Sequence, residues 1–214
     1  MIEKEVLIKS ITEALQIGAG RKFKQGVDLQ IIFRGLDPKS PEARFRDAVF
    51  LPKGLGKKPK ICVVAEGDMA LKAREIADML FMREDLQNLD KKKTKKIASE
   101  CDWILVRTDL MSLVGRILGP ALGPRGKAPI PVPANADIAS MINYYRSATR
   151  LRNKEQLFVS CRVGSEDMSP EDIAENIIAV LNYVENKIKQ PLDQVVEYMV
   201  IKTTMGPPVR VSMR

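Results

Sequence analysis

The stretch LPKGLGKKPKICVVA, residues 51–65, decides how this chain is divided. Its first part, Pro52 to Lys60, is rich in glycine, proline and lysine, a composition typical of a linker or hinge. Its last part, Lys60 to Ala65, is a short apolar run of the kind found in strands that are buried on both faces. The residues before the linker follow a different pattern, so the sequence predicts a change of fold at this point.

Upstream of the linker, the pattern is that of one helix and a sheet with a single buried face. Glu3 to Ile17 carries apolar residues at helical spacing. In VDLQIIF, residues 27–33, apolar and polar residues alternate as in a half-buried strand, and Asp47 to Leu51 is a second strand-like run. This segment alone has too few strands to bury its helix.

Downstream of the linker, short apolar strands alternate with helices. The predicted elements after the first strand are a helix at 68–80, a charged helix to about Ser99, a strand at 102–106 and a helix at 109–118. Such alternation favours a parallel, Rossmann-like sheet covered by helices on both faces.

From about Lys154 the first pattern returns. The predicted elements are a strand at 156–163, a helix opening at Ser169-Pro170, and strands at 194–203 and 209–213. Because a lone hairpin is marginal in water, the economical fold joins both termini in one split α+β (ferredoxin-like) domain, residues 1–58 plus 153–214. Residues 59–152 then form an inserted Rossmann-like, three-layer α/β domain.

Charge and residue usage favour a polyanionic partner and argue against catalysis. The net charge is +8, and basic proteins bind nucleic acids by releasing condensed counterions. The chain has no histidine, the commonest general base and metal ligand. Cys62, Cys101 and Cys161 form no C-x-x-C pair, and Cys62 and Cys161 are interpreted as buried, inert thiols because they lie in strand-like runs. We therefore expect no catalytic set, no metal site and no cofactor.

Nothing in the sequence predicts export or membrane insertion. No apolar run approaches the length of a membrane span. The N-terminal MIEKEVLIKS does not have the pattern of a signal peptide. A cytoplasmic location without a membrane partner is expected.

The segment GRILGPALGPRGKAPIPVPAN, residues 115–135, is the most distinctive in the chain. Its four glycines and five prolines predict an ordered loop without regular structure, with Arg125 and Lys127 at the tip. A P-loop would need glycine at 121 and serine or threonine at 128, where Ala121 and Ala128 stand. Two interpretations of this loop stay open: a positively charged loop that contacts phosphate, or a structural lid over the inserted domain. An alternative function for the whole chain is an α/β enzyme that binds a nucleotide or sugar phosphate at this loop.

Three short segments at predicted strand ends combine cations, hydroxyls and glycines. They are RKFK at 21–24, CRVGS at 161–165 and TTMGP at 203–207. Cations hold the phosphate backbone, an aromatic ring stacks on a base, and glycine permits close approach of another backbone. In a split domain these ends could lie side by side. By contrast KKKTKK, residues 91–96, is interpreted as a mostly solvated helix face.

These motifs together resemble the family of large-subunit ribosomal protein L1. The resemblance rests on VGRILGPALGPRGKAPIPVPAN at 114–135, KF at 22–23, LPKGLGK at 51–57 and TTMGPPVRV at 203–211, which occur in the family's order. It covers essentially the whole chain and looks archaeal rather than bacterial. Ala128 departs from the pattern, since the family usually has a larger apolar residue there.

The resemblance implies a fold and a function. The fold is the split terminal domain with an inserted Rossmann-like domain. The protein would be no enzyme: it would bind large-subunit rRNA, form the mobile exit-site stalk of the ribosome and assist release of deacylated tRNA. It would also repress translation of its own operon by binding the mRNA, and be a monomer when free. A regulatory mRNA binder outside the ribosome is a further alternative.

The resemblance also implies an RNA surface on the terminal domain. Carried over motif by motif, that surface comprises Lys22, Phe23, Gly164, Ser165, Thr204, Met205 and Gly206.

Overall fold

The computed structural model describes residues 3–153 and 155–212, and the chain divides into two compact units. The terminal unit comprises Met1–Lys57 with Ser147–Arg214, and the inserted unit comprises Lys58–Arg146. The chain therefore passes from the terminal unit to the inserted unit within the Pro52–Lys60 linker.

In its described residues, the terminal unit contains three helices and six strands. Its helices are α1 (Lys4–Gly18), α8 (Pro170–Ile188) and α9 (Leu192–Val195). Its strands are β1 (Gly26–Phe33), β2 (Arg46–Phe50), β7 (Ala148–Arg152), β8 (Phe158–Ser165), β9 (Val196–Thr203) and β10 (Val209–Ser212). They form one antiparallel sheet in the order β10-β9-β1-β8-β7-β2.

The two long helices lie on one face of this sheet, where alternate strand residues are apolar and buried. Val27, Leu29, Ile31 and Phe33 of β1 are buried there, as the alternation in the sequence predicts. Ser169 caps α8, its hydroxyl accepting a hydrogen bond from the backbone N–H of Asp172 at 3.1 Å. The mixed α+β class predicted for the two termini is confirmed.

Strand β7 was assigned to the inserted domain by the sequence-based division at residue 152. In the structure β7 pairs with β2 over its whole length, from Ala148↔Phe50 to Arg152↔Arg46. Because β7 pairs with β2, the second boundary between the two units lies at Ser147.

The inserted unit is a three-layer α/β arrangement, as predicted. Its strands are β3 (Ile61–Val64), β4 (Met79–Phe81), β5 (Trp103–Arg107) and β6 (Ile130–Val132), which form a parallel sheet in the order β4-β3-β5-β6. Its helices are α2 (Asp68–Arg74), α3 (Arg83–Gln87), α4 (Lys91–Glu100), α5 (Met111–Ile117), α6 (Gly119–Leu122) and α7 (Ile138–Arg146). A single 3-10 turn, Thr108–Leu110, precedes α5.

Two sequence-based expectations for the inserted unit are wrong in detail. The helix predicted at 68–80 ends at Arg74, and its last residues form edge strand β4 instead. The 115–135 segment is not free of regular structure, since it contains the end of α5, all of α6 and strand β6. Proline fits at both places: Pro120 lies at the start of α6, and Pro131 lies in edge strand β6, where one N–H is not needed.

Cys62 and Cys101 form a disulfide, so Cys62 is not the free, inert thiol that the sequence suggested. Cys62 lies in β3 and Cys101 directly follows α4, and both are fully buried. This pairing was not predicted because 39 residues separate the two cysteines along the chain. Cys161, in β8, is a free buried cysteine as predicted.

Within residues 3–153 and 155–212, no helix is both long and apolar enough to cross a membrane.

Candidate nucleic-acid interface

Three strand ends and one helix end meet at one edge of the terminal sheet. Strand β1 begins at Gly26, which pairs with Ser165 at the end of β8. On its other side Val27 pairs with Thr203 at the end of β9. The order β9-β1-β8 therefore brings the three segments singled out in the sequence side by side. We call this group, residues 18–26, 164–167 and 203–206, the strand-end cluster.

A buried glutamine, Gln25, connects the parts of the strand-end cluster. Its Nε2 donates hydrogen bonds to the carbonyl of Gly18 at 2.8 Å and to the carboxylate of Glu166 at 3.3 Å. Its Oε1 accepts one from the backbone N–H of Met205 at 3.0 Å. Its carbonyl accepts from the backbone N–H of Glu166 at 3.1 Å and lies 3.3 Å from the Ser165 hydroxyl. One side chain thus fixes the helix end, the end of β8 and the β9–β10 turn.

Four of the seven predicted site residues are exposed on this cluster. Lys22 and Thr204 are exposed, and the side chains of Phe23 and Met205 are 53% and 61% exposed. Both are large apolar groups without a hydrophobic environment in the unit. An aromatic ring and a thioether held out beside cations are suited to stacking on bases or riboses.

The other three predicted site residues are buried and support the cluster from within. A Cβ atom on Gly164 would lie 3.0 Å from Cγ1 of Ile173 in α8. The hydroxyl of Ser165 lies between the Gln25 carbonyl and the Asp167 carboxylate. Gly206 is also buried, against Thr203 and Gly18. Packing inside the protein leaves no room for a side chain at either glycine.

The strand-end cluster carries several cations and a carboxylate, Asp167, that is held by hydrogen bonds. The ammonium of Lys24 lies 2.8 Å from the Asp167 carboxylate. Hydrogen bonds from Lys24 and then from Ser165 lower the pKa of Asp167 to about 2. A guanidinium N–H of Arg21 lies 3.4 Å from the Met205 carbonyl. Lys22 therefore offers its charge at the surface while its neighbours Arg21 and Lys24 shape the cluster.

Thr204 connects the cluster to the adjoining face of the sheet. Its hydroxyl lies 3.2 Å from the Gly26 carbonyl and 3.3 Å from the Asp28 carboxylate. Burial raises the pKa of Asp28, while the Thr204 hydroxyl and the charges of Arg162 and Lys202 lower it in part. The Thr204 hydroxyl proton is thus used inside the protein, and its oxygen can still accept a hydrogen bond from a 2′-OH.

Two cations of the 115–135 segment, Arg125 and Lys127, form hydrogen bonds within the inserted unit, which favours the structural interpretation of this segment. The ammonium of Lys127 donates to the carbonyls of Cys101 at 2.7 Å and Ser99 at 3.1 Å, at the end of α4. A guanidinium N–H of Arg125 donates to the Ala121 carbonyl at 3.0 Å, in α6. Cations at helix C-termini are favourable because they complement the helix dipole. Ala128, the departure from the family pattern, is exposed.

Sequence reasoning missed Gln25, the residue that holds the cluster together. Its only signal was a polar residue directly before an alternating apolar strand, where a polar residue is common. Lys24 and Arg21 were noted as part of RKFK, but their partners Asp167 and Met205 lie far along the chain. Only the strand order makes these contacts visible.

Comparison with known proteins gives one consistent result. A sequence profile of the Ribosomal protein L1p/L10e family matches residues 14–207. The large ribosomal subunit protein uL1 of Staphylothermus marinus is 52% identical over 209 residues, covering 97% of both chains. The uL1 protein of Hyperthermus butylicus is 49% identical over 215 residues, covering 100% of this chain and 99% of that protein. The uL1 protein of Aeropyrum pernix is 48% identical over 216 residues, covering 98% of each.

Proposed function

Because the chain belongs to the Ribosomal protein L1p/L10e family, we propose that its strand-end cluster binds a folded segment of large-subunit rRNA. The chain is a structural constituent of the large ribosomal subunit, located on the ribosome, and not an enzyme. Binding of rRNA is general in the family. What is proposed is the surface that does it: Lys22, Phe23, Thr204 and Met205 contact the RNA, and Gly164, Ser165 and Gly206 shape the surface from beneath.

The observation that carries this proposal is the exposure of Phe23 and Met205 on a cluster that is otherwise well packed. Gln25 holds the backbone of Met205 through the Met205 N–H and stands two residues after Phe23, so the backbone of this turn needs little reordering when RNA binds. The free cation of Lys22 adds a phosphate contact. Two protruding apolar groups on one platform can fit the shape of a folded RNA. A uniformly charged patch would fit it less well.

The finer roles follow from the family resemblance and are part of the proposal. The protein forms the mobile stalk beside the exit site, with the rRNA held by the terminal domain, and assists release of deacylated tRNA. It also represses its own operon, because an mRNA that mimics the rRNA segment would occupy the same cluster. The free protein is a monomer. The functional domains are the terminal and inserted domains predicted from the sequence, except that the second boundary between them lies at Ser147.

The experiment has two stages. First, RNA that copurifies with the full chain at moderate salt is sequenced. Enrichment of one segment of large-subunit rRNA, and of the leader of its own mRNA, is the expected result. A population of random RNA would contradict specific recognition.

Second, the enriched rRNA segment is titrated with the variant F23A/M205A and with a matched control, V6A/L157A. The control removes two other exposed apolar side chains of the same unit, which are 44% and 41% exposed. Loss of base or ribose stacking at the cluster should weaken binding by about 30-fold or more, because each of the two stacked groups contributes roughly 1–3 kcal/mol. The control should bind like the wild type. Equal losses in both variants, or none in either, would place the RNA elsewhere.

A further inference from the structure

The sheet of the terminal unit has a second face, opposite α1 and α8, that no helix of the described residues covers. On this face lie the strand residues that alternate with the core. Those of the two central strands β1 and β9 are partly exposed: on β1 they are Asp28, Gln30 and Ile32, and on β9 Tyr198, Val200 and Lys202. We call it the open face. It is separate from the strand-end cluster, which lies at the edge of the sheet.

The open face holds the excess positive charge of the terminal unit. By sequence, residues 1–57 and 147–214 contain 20 Lys and Arg against 16 Asp and Glu. Six of these cations project from the open face, and Asp28 is the single acid among its strand residues. The six cations are Arg46, Arg150, Arg152, Arg162, Lys202 and Arg210. The rest of the unit is therefore close to neutral.

One row of side chains crosses all six strands of this face. Its members pair in register in the order Arg210, Val200, Gln30, Ser160, Arg152, Arg46. With neighbouring strands about 4.8 Å apart, the row spans about 24 Å. Cations at both ends and amide and hydroxyl groups between them provide contacts for phosphates and for base edges.

Asp28 is the acid of this face whose charge acts on Arg162 and Lys202. In the described part of the chain, no ion pair involves Arg46, Arg152, Arg162, Lys202 or Arg210. Arg46 and Arg152 lie directly opposite each other on paired strands, an arrangement that is destabilising for like charges. An external anion would relieve this repulsion.

Aromatic groups accompany the charges. The guanidinium of Arg210 stacks over the ring of Tyr198, 3.7 Å from the ring centroid. Ile32 pairs with Tyr198 on one side and with Phe158 on the other, so these three side chains form an apolar strip beside the polar row. Bases stack on aromatic rings and on arginine planes, and both are available here.

A shallow cavity of about 340 Å³ lies between the charged row and the strand-end cluster. It is lined by Asp28, Gln30, Ser160, Cys161, Arg162 and Lys202. Two cations and two neutral polar groups around one depression suit a phosphate together with its ribose or base.

From this arrangement we propose that the open face binds a single-stranded segment of RNA that runs across the strands, as a second RNA site distinct from the strand-end cluster. Charge complementarity selects a polyanion. The flat face with stacking groups and hydrogen-bonding side chains selects unpaired nucleotides, because the bases of a duplex are stacked on one another and not available for stacking on protein groups.

The test uses the full chain and a fluorescein-labelled oligouridylate of about 12 nucleotides, within the range of single-strand site sizes. The open-face variant is R46Q/R152Q/R210Q. The matched control, K9Q/K39Q/K189Q, removes three exposed cations of the same unit from α1, a loop and the end of α8. The open-face variant should bind at least about tenfold more weakly and lower the slope of log affinity against log salt by about 2. Equal behaviour of the two triple variants would overturn the proposal.

Two further variants address stacking and folding. Y198V should lose about tenfold in affinity for oligouridylate but not for inorganic polyphosphate, which has no bases. If the wild type binds both polymers with equal affinity and Y198V loses the same affinity for both, the open face is a general polyanion patch and the proposal is overturned. D28N removes the one acid of the face and should tighten RNA binding by about threefold. A gain of this kind cannot arise from misfolding, and unchanged or weaker binding would count against the proposal.

These measurements distinguish failure of the open-face proposal from failure of the proposal for the strand-end cluster. If F23A/M205A weakens oligouridylate binding as much as the open-face variant does, the single strand lies on the strand-end cluster and the open-face proposal is wrong. If F23A/M205A binds the copurified rRNA segment normally, the proposed function of the cluster is wrong, whatever the open face does.

Discussion

Gly18, the last residue of α1, and Gly206, in the turn between β9 and β10, approach so closely that a Cβ atom on Gly206 would lie 3.0 Å from the Cα of Gly18. The same Cβ would overlap Oγ1 of Thr203, which is buried and has no hydrogen-bond partner among the described residues. The glycine of the TTMG turn is therefore explained by contacts within the protein. A substitution at Gly206 therefore changes the packing of the turn that presents Met205.

This packing predicts that G206A destabilises the terminal unit by about 1–3 kcal/mol through overpacking. T203A alone should cost less, because it removes a hydroxyl that is already unsatisfied. In the double variant T203A/G206A the loss should be smaller than the sum, since the overlap with Oγ1 is gone. The measurement is hydrogen exchange of β1 and β9 amides. Additive losses would mean that the two residues do not share this contact.

Predictability from the sequence followed the length and regularity of each element. The apolar periodicity of α1, β1 and α8 extends over two or more turns or alternations, so their positions were predicted to within about two residues. Edge strands β4 and β6 have only three residues each and show no period. Their pairing with β3 and β5 is what makes them strands.

The candidate site was predicted in its parts but not in its connections. Phe23 and Met205 stood out as apolar residues among cations or turn residues. Gln25 could not, because its role depends on partners at Gly18, Glu166 and Met205 that only the strand order brings together. The open face was missed for the same reason, since its six cations are spread over five strands and align only through the register.

A pH-dependent prediction follows from Asp167. Its pKa in the folded protein, about 2, is lower than the ordinary 3.8, so its charge favours the folded state above pH 3.8 and this contribution disappears as the pH falls through 2. Since a hydrogen bond from Lys24 is the largest cause, K24Q should raise the pKa of Asp167 toward 3.8. An NMR titration of carboxyl resonances measures it. Asp137, whose pKa is lowered by Ser140 instead, is the internal control and should not change.

Asn176 of α8 fixes the start of the linker, which predicts a large effect of its removal. Its amide donates to the carbonyls of Gly54 and Val163, each at 2.8 Å, and its Oδ1 accepts from the backbone N–H of Lys53 at 3.0 Å. N176A leaves these groups without their partner and should cost about 3 kcal/mol. Lysyl endopeptidase should then cleave near Lys57 faster. N182A, at an exposed position of the same helix, is the control, and equal cleavage of both variants would contradict the clamp.

The last prediction concerns the disulfide of the inserted unit. Closing a loop of 39 residues between Cys62 and Cys101 restricts the unfolded chain, which by the loop-entropy relation stabilises the unit by about 4 kcal/mol. Trp103 is the only tryptophan of the chain and lies buried in β5, so its fluorescence reports unfolding of this unit alone. After oxidation with glutathione, the urea midpoint followed by Trp103 should exceed that of the reduced protein. The oxidised protein, once unfolded, should expose one reactive thiol, that of Cys161, and the reduced protein three. C62A/C101A should show no response to reductant. Three reactive thiols after oxidation, or a midpoint that does not depend on reduction, would show that the disulfide does not form or does not stabilise the unit.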